Sequence, residues 1–168
     1  MASTSVNSSF SIDTSQMRNR IEQRFGRESV GIFVNELNAG MEQCGREARK
    51  QANALIKGGE GSRLAKSAKI TRFVSRTSQG VVVDWNSARS DAGFPYAAAV
   101  NTGRKAFGPI NKSVLRFEIA GKVIFAKHVR AFVGVHFTTR GLAAARPSFD
   151  GYMHAVVFRW RLRTGNAL

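Results

Sequence analysis

The sequence predicts an α+β fold: a long N-terminal helix, two antiparallel β-hairpins forming a small sheet, a short central helix and a C-terminal helix. Three observations carry this. Apolar residues recur three or four apart up to about residue 57, and again after Pro147. Between those stretches the period shortens to two in a pair of segments, each broken by a glycine-bearing turn. A short alanine run lies between the two hairpins.

Residues 1–12 are rich in Ser, Thr and Asn and offer little to bury, so they read as a polar N-terminal arm ahead of a single domain over 13–168. From Asp13 the spacing turns helical: Ile21 and Phe25 suggest a shorter helix over about 13–25. Val30, Phe33, Val34, Leu37, Met41, Cys44, Ala48, Ala52 and Leu55 mark one apolar stripe of a long helix over about 28–57, stopped by Gly58 and Gly59. Gly31, Gly40 and Gly45 each weaken that helix by about 1 kcal/mol relative to Ala, so a closely packed neighbour must support it.

The first hairpin joins 68–74 to 81–85 through Ser78-Gln79-Gly80, and Trp85 is expected in the core. Asn86 to Pro95 has loop composition, and Tyr96 to Val100 forms the short helix, ended by Gly103. The second hairpin pairs 114–119 with 123–129 around Ala120-Gly121-Lys122, one face buried and the other wet. Residues 130–145 read as a connection. Arg146-Pro147 then precedes a helix carrying Phe149, Met153, Val156, Val157 and Trp160.

Lys and Arg number 26 against 11 acidic residues, a formal charge of +15, so the surface calls for an anionic neighbour. With 43% hydrophobic residues, the chain has enough apolar material to fold without metal or disulfide support. The single cysteine, Cys44, cannot form an intramolecular disulfide and fits a reducing compartment. No secretory leader and no apolar run of bilayer length is evident, so no membrane partner is expected and synthesis is read as cytosolic.

Catalytic and metal chemistry find little support. His128, His136 and His154 fall on different elements, none beside a Cys, Asp or Glu in ligand or triad spacing. Asp84, Asp91, Glu118 and Asp150 stand singly. Gly103 to Gly108 lacks the order of a phosphate loop. The chain is therefore read as no enzyme, with no catalytic, cofactor or metal site and no cofactor. Phe158-Arg159-Trp160-Arg161-Leu162-Arg163 interleaves charge with rings, so a basic nucleic-acid-binding protein is the alternative, although no recognition motif for nucleic acid is present.

Four strings stand in a suggestive order: Gly61 to Ala68 before the first hairpin, Pro95-Tyr96-Ala97-Ala98-Ala99-Val100-Asn101-Thr102-Gly103, the hairpin from Val114 to Val129, and Ala145-Arg146-Pro147-Ser148-Phe149. Together they resemble a family of neck proteins of long-tailed bacteriophages, known as head-tail connector, tail-completion or minor tail components. The likeness spans roughly residues 28–160. Asn101 and Arg104 depart from the Glu and Thr usual in that family, and Ser148 interrupts its Arg-Pro-Phe string.

The resemblance implies a structural virion protein that forms a homo-oligomeric ring, hexameric by the symmetry of phage tails. Such a ring joins the DNA-filled head to the tail, as a terminator or connector layer. The implied partners are head-closure or portal-side proteins and tail-tube proteins, with genomic DNA passing through the lumen without sequence recognition. The implied location is the virion neck, and the host cytoplasm during assembly. Most of the positive charge is then expected to face partner proteins or the outside rather than the channel.

Candidate interface residues lie in the loop from Arg104 to Lys112 and in 132–140: Arg104, Lys105, Phe107, Phe132, Val133, Val135, Phe137 and Arg140. These stretches join elements without an evident buried stripe, and Phe132, Val133, Val135 and Phe137 are too apolar for a free loop. Tyr96, Val100 and Gly103 are read as a structural motif seating the short helix on the sheet, with Trp85 and Phe117 filling the core beneath.

Overall fold

A computed structural model of the chain describes residues 5–89, 96–110, 113–119 and 121–165, and for 117–119 the backbone alone. It is a mixed α+β structure. In order come β1 (Asn7–Asp13), α1 (Ser15–Ala54), a 3-10 turn (Gly59–Gly61), α2 (Arg63–Lys66), β2 (Lys69–Val74), β3 (Ser78–Asp84), α3 (Ala97–Thr102) and β4 (Gly103–Arg104). Then follow β5 (Leu115–Ile119), β6 (Lys122–Ala126), β7 (Phe132–Val133) and α4 (Phe137–Thr164).

The polar N-terminal segment is not a free arm. Asn7 to Asp13 pair antiparallel with β3, from Asn7 opposite Asp84 to Asp13 opposite Ser78, giving a sheet in the order β1-β3-β2. Alternation explains why so polar a stretch can do this. Ser8, Phe10 and Ile12 turn inward beside Val83, Val81 and Gln79, while Ser9 and Ser11 face water. The inward Ser8 hydroxyl donates to the Thr138 carbonyl at 2.9 Å, so its burial leaves no bond unmade.

In α1 the two expected helices merge around a break at Gly26, whose φ of 81° and ψ of 171° are non-helical. Only glycine reaches that conformation without strain, so the shorter and longer stretches meet there at an angle. Asp13 opens the helix by accepting from the Ser15 N–H at 2.9 Å, and this bond lowers its carboxyl pKa. The helix ends at Ala54, and Gly58 takes the left-handed conformation just beyond it.

Two of the three helix glycines are contact points. A Cβ at Gly45 would meet Val81 Cγ2 at 2.7 Å, and one at Gly40 would collide with Val156 of α4, whereas Gly31 faces open space. The neighbours that the weak helix requires are therefore the sheet on one side and α4 on the other.

The C-terminal helix is longer than its sequence suggests. It begins at Phe137, so residues 137–145 are helix rather than connection, and Pro147 lies inside it. Proline in a helix interior costs about 3 kcal/mol, because it removes a hydrogen bond and crowds the preceding turn. Phe137, Gly141, Ala145 and Phe149 recur every four residues on the buried face. Burial of the two phenylalanines alone returns about 1.5–3 kcal/mol each, which offsets the proline. Gly141 permits this packing, since a Cβ there would lie 2.5 Å from Ala52 Cα.

The core has two parts. One gathers Trp85, Phe137, Cys44, Ala48, Ala52 and Phe149 between the helices and the sheet. The other gathers Ile21, Phe33, Leu37, Met41, Val156 and Trp160 along the α1–α4 crossing. Trp85 and Phe137 meet edge to face with centroids 5.3 Å apart, and the indole N–H donates to Asn53 Oδ1 at 3.2 Å.

Burial pushes the Cys44 thiol up from 9.0 to about 11. The folded chain thus holds this proton more tightly than the unfolded chain, so stability declines as pH rises from about 9 to about 11. Urea midpoints at about pH 8 and about pH 10.5 should show a larger fall for the wild type than for Cys44→Ala.

The first hairpin turns at 75–77, and Ser78-Gln79-Gly80 belongs to β3, with Phe73 laid over Gly80 on the outer face. The second hairpin departs further from expectation. It does not join the first in a common sheet: β5 and β6 pair only with each other among the described residues, Leu115 opposite Ala126 through Ile119 opposite Lys122.

Candidate docking surface

Beyond Gly103 the chain leaves the helix–sheet body. Gly103, with φ of 85°, ends α3 and starts β4, which pairs with β7 through Gly103 opposite Val133 and Arg104 opposite Phe132. A Cβ at Gly103 would collide with the Phe132 carbonyl oxygen, so both the backbone conformation and the close approach require glycine. Tyr96 and Val100 pack, partly buried, against the main core. The Phe117 side chain lies outside the described residues, as do Asn111 and Lys112.

The ladder continues outward from that base. Phe107 and Val129 exchange backbone hydrogen bonds at 3.0 and 2.8 Å. Past them β5 and β6 form a two-stranded ribbon that packs chiefly on itself. In β6, Val123, Ile124 and Phe125 are 43%, 44% and 62% exposed. Ile124 points to one side and its neighbours to the other, so neither face of β6 is buried. The expected buried face is absent from this strand.

The interface candidates divide accordingly. Arg104 and Lys105 are exposed, the Arg104 guanidinium lying 5.8 Å from the centre of the exposed Phe107 ring. Phe132 and Val133 are exposed on β7. Val135 is partly buried against the main core, and exposed Arg140 donates to the Val135 carbonyl at 3.3 Å. Phe137 is a correction: it is fully buried in the chain's own core against Trp85, because it is the first inward residue of α4.

Sequence reasoning missed Val123, Ile124 and Phe125 as surface residues, whereas the exposed Ile110 lies in the loop it marked. A signal was present. Val123-Ile124-Phe125-Ala126 is apolar at both parities, which a half-buried strand is not, so both of its faces need covering.

The remaining charge is organised by the helices. Glu36 of α1, almost fully buried, accepts from Arg159 Nε at 2.6 Å and pairs with the Arg163 guanidinium, whose Nη1 lies 2.9 Å away. Two of the three arginines in the basic string at the C-terminal helix are thus engaged within the chain. His128, His136 and His154 are all exposed, and among the described residues no group of His, Cys, Asp and Glu is placed to hold a metal ion. Among the described residues no helix is long and apolar enough to cross a membrane. No protein-family model, curated protein or solved structure matches the chain.

Proposed function

We propose that the chain is a structural protein of a bacteriophage neck, forming a homo-oligomeric ring between the DNA-filled head and the tail. The observation that carries this reading is the extension from Gly103 to Val133. It places Phe107, Ile110, Val123, Ile124, Phe125 and Val133 at the surface of one small module. Apolar exposure of this density marks a surface made to be covered by another macromolecule. The resemblance of four strings, this hairpin among them, to the neck family is what suggests the kind of assembly. In this reading the subunits form a sixfold ring, DNA passes through the lumen without sequence recognition, and head-closure and tail-tube proteins lie on either side. Engagement of Arg159 and Arg163 by Glu36 supports a lumen that does not rely on these arginines to grip phosphate.

Purified particles should contain the chain, and native mass spectrometry should show a ring whose mass is a multiple of 18.4 kDa, alone or with tail-tube and portal-side partners. A chain that stays monomeric with those partners and is absent from particles overturns the reading. Phe132→Ser removes an exposed ring, so the thermal midpoint should stay within roughly 2 °C of wild type while assembly into particles fails. Normal assembly by this variant removes Phe132 from the interface.

A further inference from the structure

The ribbon's own chemistry states what must cover it. Residues 103–133 carry seven Lys and Arg against one carboxylate, Glu118. Arg116, Lys122 and Lys127 flank the exposed Val123, Ile124 and Phe125. The ribbon therefore makes three demands at once. Its apolar side chains need an apolar floor, its cations need carboxylates or phosphates, and the outer edges of β5 and β6 present backbone groups that can pair with another strand.

Three kinds of partner meet these demands unequally. A lipid surface satisfies charge and apolar contact but offers nothing to an open strand edge within its hydrocarbon. Duplex DNA satisfies charge, and its grooves admit a ribbon, yet it gives little apolar cover to Val123 and Ile124. A protein strand bordered by carboxylates supplies all three, by extending the ribbon as an added strand.

A second copy of the chain does not fit. Its carboxylates are largely committed at home: Asp13 to Ser15, Glu22 to Arg27, Glu36 to Arg159, Glu42 to Arg46, Glu60 to Asn53 and Asp84 to Asn86. Each copy also brings a formal charge of +15, so copy-on-copy docking through this module sets like charge against like.

We infer that the β5–β6 ribbon docks on a different protein, pairing with an exposed acidic strand whose side chains alternate carboxylate and aliphatic. This deepens the proposed function by giving the partner chemistry of the same surface, and rests on it only for where in the particle that partner sits. Within a ring, the ribbon is then the part that leaves the ring to grip a neighbouring layer.

The test uses the purified full-length chain and four probes at about 0.1 M salt: a twelve-residue peptide alternating Glu and Val, its Gln-Val counterpart, a poly-Glu peptide of the same length, and a short duplex DNA. The Glu-Val peptide should bind at least roughly tenfold tighter than either other peptide, since only it joins charge, apolar contact and strand edge. Ile124→Ser with Phe125→Ser, and separately Lys122→Gln with Lys127→Gln, should each weaken that binding by about tenfold or more. Unchanged far-ultraviolet dichroism and thermal midpoint in both variants tie the loss to the surface.

Equal binding of the Glu-Val and Gln-Val peptides, or none, overturns the inference. So does duplex DNA binding that is tighter than peptide binding and is lost in the Ile124/Phe125 variant. Concentration-dependent self-association abolished by the same variant overturns it in favour of a second copy. None of these readouts needs a particle. Absence of the chain from particles defeats the neck reading and leaves the ribbon result standing, and the converse holds equally.

Discussion

A chain carrying Phe137→Ser is expected to lose about 4 kcal/mol of folding stability and roughly 10 °C in thermal midpoint. Phe137 is completely buried, packs edge to face on Trp85 and opens the inward stripe of α4. Truncation removes the transfer energy of the ring and leaves a cavity, because Trp85 and Ala52 in the same core are themselves fully buried and Gly141 already abuts Ala52, so they cannot collapse into the space. The serine hydroxyl adds a polar group to an apolar site. Since whole domains are stable by only about 5–15 kcal/mol, much of the chain would unfold at moderate temperature. Urea denaturation of Phe137→Ser beside Phe132→Ser measures this directly. Two phenylalanines five positions apart should differ by several kcal/mol, and equal midpoints would return Phe137 to the surface.

The Glu36 cluster should produce the next largest effect. Its carboxylate is 4% exposed and holds Arg159 and Arg163, and Arg159 Nη2 is buried with no hydrogen-bond partner, so the cation depends on Glu36. Breaking a fully buried pair costs about 3–5 kcal/mol, but Arg159 is a third exposed and Arg163 more so, which lowers the expected loss for Glu36→Gln to about 2 kcal/mol. Arg159→Met keeps the aliphatic packing and removes the charge. The double variant should be more stable than the two single losses predict, by about 1 kcal/mol or more of coupling. Additive losses would show that the contact is incidental. The same cycle bears on function, because an Arg159 tied to Glu36 is withdrawn from the surface that a nucleic-acid reading would require.

The two hairpins, the short helix and the two helical stretches that meet in α1 were legible because each rests on a local period. Gly26 and Gly58 punctuate α1 through their own backbone freedom, and Ala97 to Thr102 is closed by Gly103. Pro147 misled for an equally local reason. As a helix breaker it marked the start of α4, whereas the stripe of Phe137, Gly141, Ala145 and Phe149 carries the helix back another ten residues. That stripe acquires meaning only when Ala52 is found against Gly141, a contact across about half of the chain.

The candidate surface followed the same division. Sequence marked Arg104 and Phe107 for lying in a loop without a buried stripe, and Phe132 and Val133 as too apolar for a free loop; all four side chains are exposed. It could not separate Phe132 from Phe137, since similar rings in one short stretch differ only in which side of α4's first turn meets the body. Nor could it show that β6 stands away from the core, because alternation reports which residues share a face and not whether anything lies opposite.

By itself, then, the sequence determined the type of most elements between residues 15 and 129, the excess of positive charge and the lack of any ligand or triad spacing, all properties of neighbouring residues. Only the tertiary structure decided that residues 7–13 complete the sheet, that Phe137 is core, and that Val123, Ile124 and Phe125 remain uncovered. Those outcomes depend on contacts between residues far apart in the chain, where burial of one surface decides the exposure of another.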